Sequence, residues 1–323
     1  MNRRAFLTGA AAIGLGGAAV RPTFAQTYPS TVIRMIVPSP AGTPPDIMGR
    51  IIANELSESE GWRVIVENKA GAIQTIGLAE ALKQPADGYT LASIALPASA
   101  APALMPDIKF RLDADFMPVI KLAAAYHILV VTPSLPAKTL PEFVALLKSQ
   151  PDKMTFSSGG FGTPAHLAGE LFKLQTGVRA THVPYQGLAK AIADLMNGTN
   201  QYQFITPLPV MELIAAGKLR ALAVTGPKRF AALPDVPTVG EAGFPDLIIQ
   251  DWFGILVKTG TPDAIVTRLN ESMNKSLAKP RVREAIEKMA AAPAGGTPAE
   301  FGTFLKSEVA HWGKVVKDSG IKM

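Results

Sequence analysis

The 323 residues carry 48% hydrophobic and 18% charged side chains, which excludes a disordered polyelectrolyte and leaves length for two domains with sizeable cores. The formal charge of +6 overstates the basicity, because 32 basic residues less Arg3, Arg4 and Arg21 of an N-terminal leader leaves 29 against 26 acidic ones, and no basic run marks a nucleic-acid surface. The chain has no cysteine, so disulfides, thiol catalysis and thiolate-bound metals are excluded.

The leader reads MNRRAFLTGAAAIGLGGAAVRPTFAQ, with paired arginines, an apolar run from Ala5 to Val20 and the small Ala25 suited to cleavage before Gln26. Residues 1–25 are therefore expected to be a secretory signal, and the mature protein to lie in the periplasm. Asn2-Arg3-Arg4-Ala5-Phe6-Leu7 resembles a twin-arginine signal, with the general secretory route as the alternative. The run is too short and too rich in glycine for a membrane anchor. Gly14-Leu15-Gly16-Gly17-Ala18-Ala19 fits a loose dinucleotide fingerprint but follows no strand, so it is set aside.

Val32 to Val37 reads as a strand stopped by Pro38. The loop Ser39-Pro40-Ala41-Gly42-Thr43 then leads into a helix opening at Pro44-Pro45-Asp46. Thr43 and Asp46 have capping-box spacing, and Ile47, Ile51 and Ile52 mark the buried face. Trp62 to Glu67 predicts a strand, Asn68 to Ala72 a turn, Ile76 to Leu82 a helix and Tyr89 to Leu96 a further strand. A strand from His127 to Val131 and a helix capped by Thr139 and Glu142 follow.

The central stretch KMTFSSGGFGTPAHLAGELFKLQTG, Lys153 to Gly177, reads as a strand end at Met154–Phe156, a glycine-rich loop over Ser157–Gly162, and a helix starting at Thr163-Pro164. Leu167, Leu171 and Leu174 recur at helical spacing, and Gly177 sits where a left-handed cap belongs. A fixed helix amino end with free backbone N–H groups is a receptor for an anion such as a carboxylate, and the same residues equally describe capping without a ligand. A strand over Ala180–Val183, a helix ending near Gly198, a strand over Leu219–Thr225 and a short helix to Gly243 continue the chain. A strand over Leu247–Val257 and helices opened by Thr261-Pro262, Pro280 and Thr297-Pro298 complete it. The alternation predicts an α/β protein with largely parallel sheets, and ligands in such sheets collect at the strand carboxyl ends.

Taken together, several segments resemble one family. They include Ile33-Arg34-Met35-Ile36-Val37-Pro38 with Asp46, Val66-Glu67-Asn68-Lys69 with Gly71-Ala72, and Asp87-Gly88-Tyr89-Thr90-Leu91. Further along come Ser157-Ser158-Gly159 with Gly162-Thr163, His166-Leu167-Ala168-Gly169-Glu170-Leu171-Phe172, and His182-Val183-Pro184-Tyr185. Ala216-Gly217-Lys218-Leu219-Arg220, Leu233-Pro234-Asp235-Val236-Pro237-Thr238 and Trp252-Phe253-Gly254 close the set. In order and spacing they resemble the extracytoplasmic solute receptors of tripartite tricarboxylate transporters, the Bug-type binding proteins.

The resemblance implies a two-lobed type II periplasmic binding protein fold with a hinge and an interdomain cleft. Residues 26–124 and 250–323 would form one lobe and 125–249 the other, with crossings near Lys121–Ala125 and Ile248–Trp252. It implies capture of a small organic carboxylate by main-chain amides, hydroxyls and bridging waters. The donors would come from Ala41, Gly42, Thr43 and Asp46 on one side and Ser157, Ser158, Gly159, Phe161, Gly162 and Thr163 on the other. His166, Tyr185 and Thr206 join the candidate set.

No catalytic residue, cofactor or metal is expected, and the implied partners are the carboxylate and the membrane subunits of the transporter, with the receptor itself a monomer. A sensor for a signalling partner is the alternative reading. Phe161 and Ile205 in place of smaller or more polar residues, with few cations nearby, favour a monocarboxylate or aromatic carboxylate over citrate. An enzyme is the competing class. Ser157 or Ser158 with His166 suggests a hydrolase, but neither serine lies in a G-x-S-x-G elbow, and the glycine turn lacks the acidic strand end of a Rossmann site.

Overall fold

The computed structural model describes residues 28–321, so the signal read over residues 1–25 lies outside the described residues. The chain begins β1 (Ile33–Val37), α1 (Pro44–Glu60), β2 (Val64–Asn68), α2 (Thr75–Leu82), β3 (Thr90–Ala95), α3 (Leu96–Leu104) and α4 (Leu112–Asp115). It continues with β4 (Phe116–Tyr126), β5 (Ile128–Val131), α5 (Leu140–Ser149), β6 (Thr155–Ser158), α6 (Pro164–Thr176), β7 (Thr181–Pro184), α7 (Leu188–Met196) and β8 (Tyr202–Ile205). The last part comprises α8 (Met211–Ala215), β9 (Arg220–Val224), β10 (Gln250–Lys258), α9 (Asp263–Ala278), α10 (Pro280–Glu287), β11 (Ala291–Pro293) and α11 (Pro298–Ser319).

The strands form two sheets, ordered β11-β4-β10-β3-β1-β2 and β7-β6-β8-β5-β9. Each belongs to one lobe of a two-lobed α/β body. The sheets are mixed rather than largely parallel. β1 runs parallel to β2 and β3, and β6 to β7 and β8, as strand–helix–strand units require. However, β10 is antiparallel to β3 and β4, and β5 to β8 and β9. β10 and β5 enter their sheets from the other lobe instead of by a crossover helix, so their direction is free to reverse, and the edge strand β11 is antiparallel to β4 as well.

That arrangement relocates several expected elements. Lys121–Ala125, read as a connection, is the end of the long strand β4, and the chain leaves the first sheet only at His127. It returns at Gln250, which pairs with Tyr126, so the outgoing and returning segments lie side by side as a hydrogen-bonded pair. α3 was missed because Pro97 and Pro102 disguise it. Pro97 sits in the first turn, where its missing N–H costs nothing. The helix expected to end at Gly243 is a run of turns, closed by Thr238 and Glu241 exchanging side-chain-to-backbone hydrogen bonds at 2.7 and 3.1 Å.

α6 is held because Leu167, Ala168, Leu171 and Phe172 are buried on one side; burial of each large side chain stabilises by about 2 kcal/mol. Leu174, expected on that face, is exposed. Gly169 packs so tightly that a Cβ there would meet the Phe156 ring at 2.1 Å. α11 opens with a complete Thr297–Glu300 capping box and packs against α3, β4 and α6, so one helix touches elements of both lobes. Glu308 on its inner side accepts the indole N–H groups of Trp252 at 2.7 Å and Trp312 at 3.1 Å, tying α11 to β10.

Candidate functional site

The loops before α1 and α6 are built alike. Each reads Gly-Thr-Pro, with the glycine in the left-handed region (Gly42 φ 77°, Gly162 φ 69°), the threonine extended as N-cap, and proline at the first helical position. In each, the threonine hydroxyl donates three residues back, Thr43 to the Pro40 carbonyl at 2.6 Å and Thr163 to the Gly160 carbonyl at 2.7 Å. The glycine amide is taken by a buried side chain four residues on, Gly42 by Asp46 at 2.9 Å and Gly162 by His166 Nδ1 at 3.0 Å. Asp46 and Thr43 therefore do not form the expected capping box.

Asp46 also accepts from Asn68 at 2.8 Å and from Arg50 at 3.0 Å. Burial works to raise its carboxyl, but Arg50, the Gly42 amide and Asn68 together outweigh burial and hold it below its ordinary value. With the glycine amides occupied, the amides of Asp46, Ala165 and His166 remain without a backbone acceptor among the described residues. The two helix ends keep their partial positive charge.

Between the sheets lies a cavity of about 290 Å³ into which both helix ends open. The first lobe lines it with Ser39, Pro40, Thr43, Gln74 and Asp251, the second with Gly159, Thr163, Gln203, Ile205 and Thr206, and His127 sits where the chain crosses between them. No lysine or arginine is among the described residues lining it, and Asp251 is the one carboxylate there. Gln74 reaches the cavity from a left-handed turn. Ala72, Ile73 and Gln74 have φ of 44°, 50° and 72°, which costs on the order of 1–2 kcal/mol per residue for side chains with a Cβ. The Gln74 side chain accepts the Ala95 amide at 3.0 Å, and Ile73 lies against Gly162 of the opposite lobe, where a Cβ would meet Ile73 Cδ1 at 2.6 Å.

The candidate residues divide accordingly. Thr43, Gly159, Thr163 and Thr206 face the cavity. Gly42, Asp46, Gly162 and His166 hold the loops in shape instead, because each glycine–side-chain pair satisfies itself. Ser157 and Ser158 belong to β6, not to the loop. Ser157 is fully buried and donates to Gln203 Oε1 at 3.1 Å, while Ser158 Oγ lies 2.7 Å from His182 Nε2. Ala41 is exposed outside the lining. Tyr185 turns away, its hydroxyl donating to Asp194 at 2.8 Å, because the carboxylate on α7 offers a stronger acceptor. Phe161 is 48% exposed and sits edge-on against His166 and His182, so it does not make the cavity apolar; Ile205 does line it. Ser39, Gln74, His127, Gln203 and Asp251 were not picked out by sequence reasoning. Ser39 follows a strand end, Gln74 lies on a left-handed turn, and His127 and Asp251 lie at the crossings; a polar residue in an otherwise apolar strand, as at Gln203 and Asp251, is the signal that could have found those two.

Two histidines far apart in sequence meet beneath the second loop, with the His166 and His182 rings stacked at 4.1 Å. Burial, with the like charge of Lys173, brings His166 down to about 4, and burial together with His166 and Lys173 brings His182 to about 3. His166 is thus neutral, accepts at Nδ1 and carries its proton on Nε2, 3.9 Å from Glu170. His182 Nδ1 has no partner among the described residues, so nothing orients a Ser158–His182 pair as a nucleophile needs. No group of three or more metal-ligating side chains occurs among the described residues.

A two-lobed α/β body with a ligand-sized cleft between its sheets defines the class of periplasmic solute-binding proteins, which bind rather than transform. The chain belongs to the tripartite tricarboxylate transporter family receptors, whose family description matches residues 48–321. It is 36% identical to Protein BugT of Bordetella pertussis over 94% of this chain and 93% of that one. Among solved structures it resembles Rpa4515 of R. palustris with adipate (33% identity, TM-score 0.80, 91% and 99% of the chains). It also resembles MatC of Rhodopseudomonas palustris with bound malate (29%, 0.77, 90% and 100%).

Proposed function

We propose that this chain is an exported, monomeric receptor that captures a small organic carboxylate in the cleft and delivers it to the membrane subunits of a tripartite tricarboxylate-type transporter. One observation carries the reading: matching Gly-Thr-Pro loops on opposite lobes aim two helix amino ends into one cavity that no cationic side chain among the described residues lines. Helix-end amides and hydroxyls such as that of Thr206, with bridging water, would hold the carboxylate, since the Thr43 and Thr163 hydroxyls already give their protons to loop carbonyls; the lobes would close about residues 125–127 and 250–252, where the crossings pair. Adipate and malate in the related structures agree in chemistry with such a ligand. Periplasmic relatives and the leader support export. Without lysine or arginine, the cavity suits a monocarboxylate better than a tricarboxylate.

The test is a thermal-shift screen of carboxylates against their amides and methyl esters. A rise in melting temperature with small carboxylates, absent for the uncharged forms, is expected together with a fall in radius of gyration by small-angle scattering. A rise confined to citrate-like tricarboxylates would contradict the preference, and no rise with any carboxylate would contradict the capture reading.

A further inference from the structure

Asp251 is the second residue of the returning strand β10, opposite Ala125, with only 6% of its surface exposed and that surface lining the cleft. Its one hydrogen bond comes from the neighbouring Trp252 amide, at 3.0 Å, and no ion pair engages it among the described residues. The charged and titratable groups around it do not compensate it. Lys121 on β4 donates to Gln250 at 2.8 Å and lies over the Phe304 ring, and Glu308 on α11 faces the indoles of Trp252 and Trp312. His127 is buried, and burial holds it neutral. A carboxylate removed from water is costly unless it is paired or protonated, and burial, with a smaller push from Glu308, raises Asp251 to about 7.

The cleft therefore carries opposite polarity at two places, with partial positive charge at the amino ends of α1 and α6 and one uncompensated acid at the crossing. We infer that Asp251 receives an ammonium group of the ligand, so that the ligand class is a small carboxylate bearing an amino group. This rests on the capture reading above. A hydroxyl would hydrogen-bond Asp251 in either protonation state, whereas an ammonium favours the carboxylate form alone and so displaces the carboxyl proton to the solvent.

Isothermal titration of the purified chain with 4-aminobutyrate, 4-hydroxybutyrate and butyrate, and with the same three substitution patterns at neighbouring chain lengths, tests the inference. The amino form is expected to bind about tenfold or more tighter than its unsubstituted partner, the usual worth of a charge-assisted hydrogen bond. In Asp251→Asn that ratio should fall towards one. For the unsubstituted chain, titration near pH 7 in buffers of different ionisation enthalpy should show proton release on binding the amino form, a reading that does not depend on the variant folding. Equal binding of the three forms, an amino preference that survives in folded Asp251→Asn, or binding of the amino form without proton release would overturn the inference while leaving carboxylate capture intact. Failure of every carboxylate to bind would overturn capture itself and the inference with it.

Discussion

Asp251 and Gly162 show how differently single residues contribute here. Because burial raises the Asp251 carboxyl from 3.8 to about 7, the folded state binds more protons than the unfolded one across that window, and its stability falls as pH rises through it. In the absence of ligand, Asp251→Asn should therefore gain on the parent protein in urea unfolding at pH 8 and lose that advantage towards pH 4; a pH-independent difference would show that the carboxyl is not so perturbed. Gly162 holds a positive φ with Ile73 close on its open side. Gly162→Ala should cost on the order of 1 kcal/mol from the backbone alone and weaken ligand affinity, measured by urea unfolding and calorimetry. The threonines facing the cavity were legible from their position before a Pro-headed helix. For Asp46 and His166 the sequence leaves both a loop-holding and a ligand-facing role open, and the structure gives each side chain a bond to its own loop's glycine amide, a choice settled by distances of a few tenths of an ångström.

Elements were legible where their signals are local. α1, α5, α6, α9, α10 and α11 begin at or beside proline, four of the six behind an extended threonine N-cap, and Thr297–Glu300 forms the full reciprocal box. Thr297→Ala should cost about 1 kcal/mol of stability, since the lost cap leaves a helical amide unpaired; chemical denaturation of the variant measures it. The end of β4, Lys121–Ala125, reads as a connection and β11 leaves no local signal, because both owe their conformation to partners distant in sequence, β10 for β4 and β4 for β11. Glu308→Ala would strand two indole N–H groups near the crossing, and a loss of about 1–3 kcal/mol is expected by the same measurement.

Across the whole molecule, three buried histidines dominate the acid response. His127 and His166 are lowered from 6.5 to about 4 and His182 to about 3, in each case mainly by burial. The unfolded chain takes up these protons first, so the stability they contribute is present above pH 6.5 and is lost as pH falls towards 4, against the single opposite trend of Asp251. Urea midpoints should drop between pH 7 and pH 5, and imidazole resonances in NMR should not titrate above pH 5 for these three. The amino-acid order by itself determined the alternation of strands and helices, the two Gly-Thr-Pro helix starts and the family likeness, because each is written in neighbouring residues. Only the tertiary structure decided that the sheets are mixed, that His166 meets His182 and that Asp251 and Gln74 share a cleft with Thr43 and Thr163. Those facts depend on which distant strands pair, and pairing is governed by the packing of the whole core rather than by any local run.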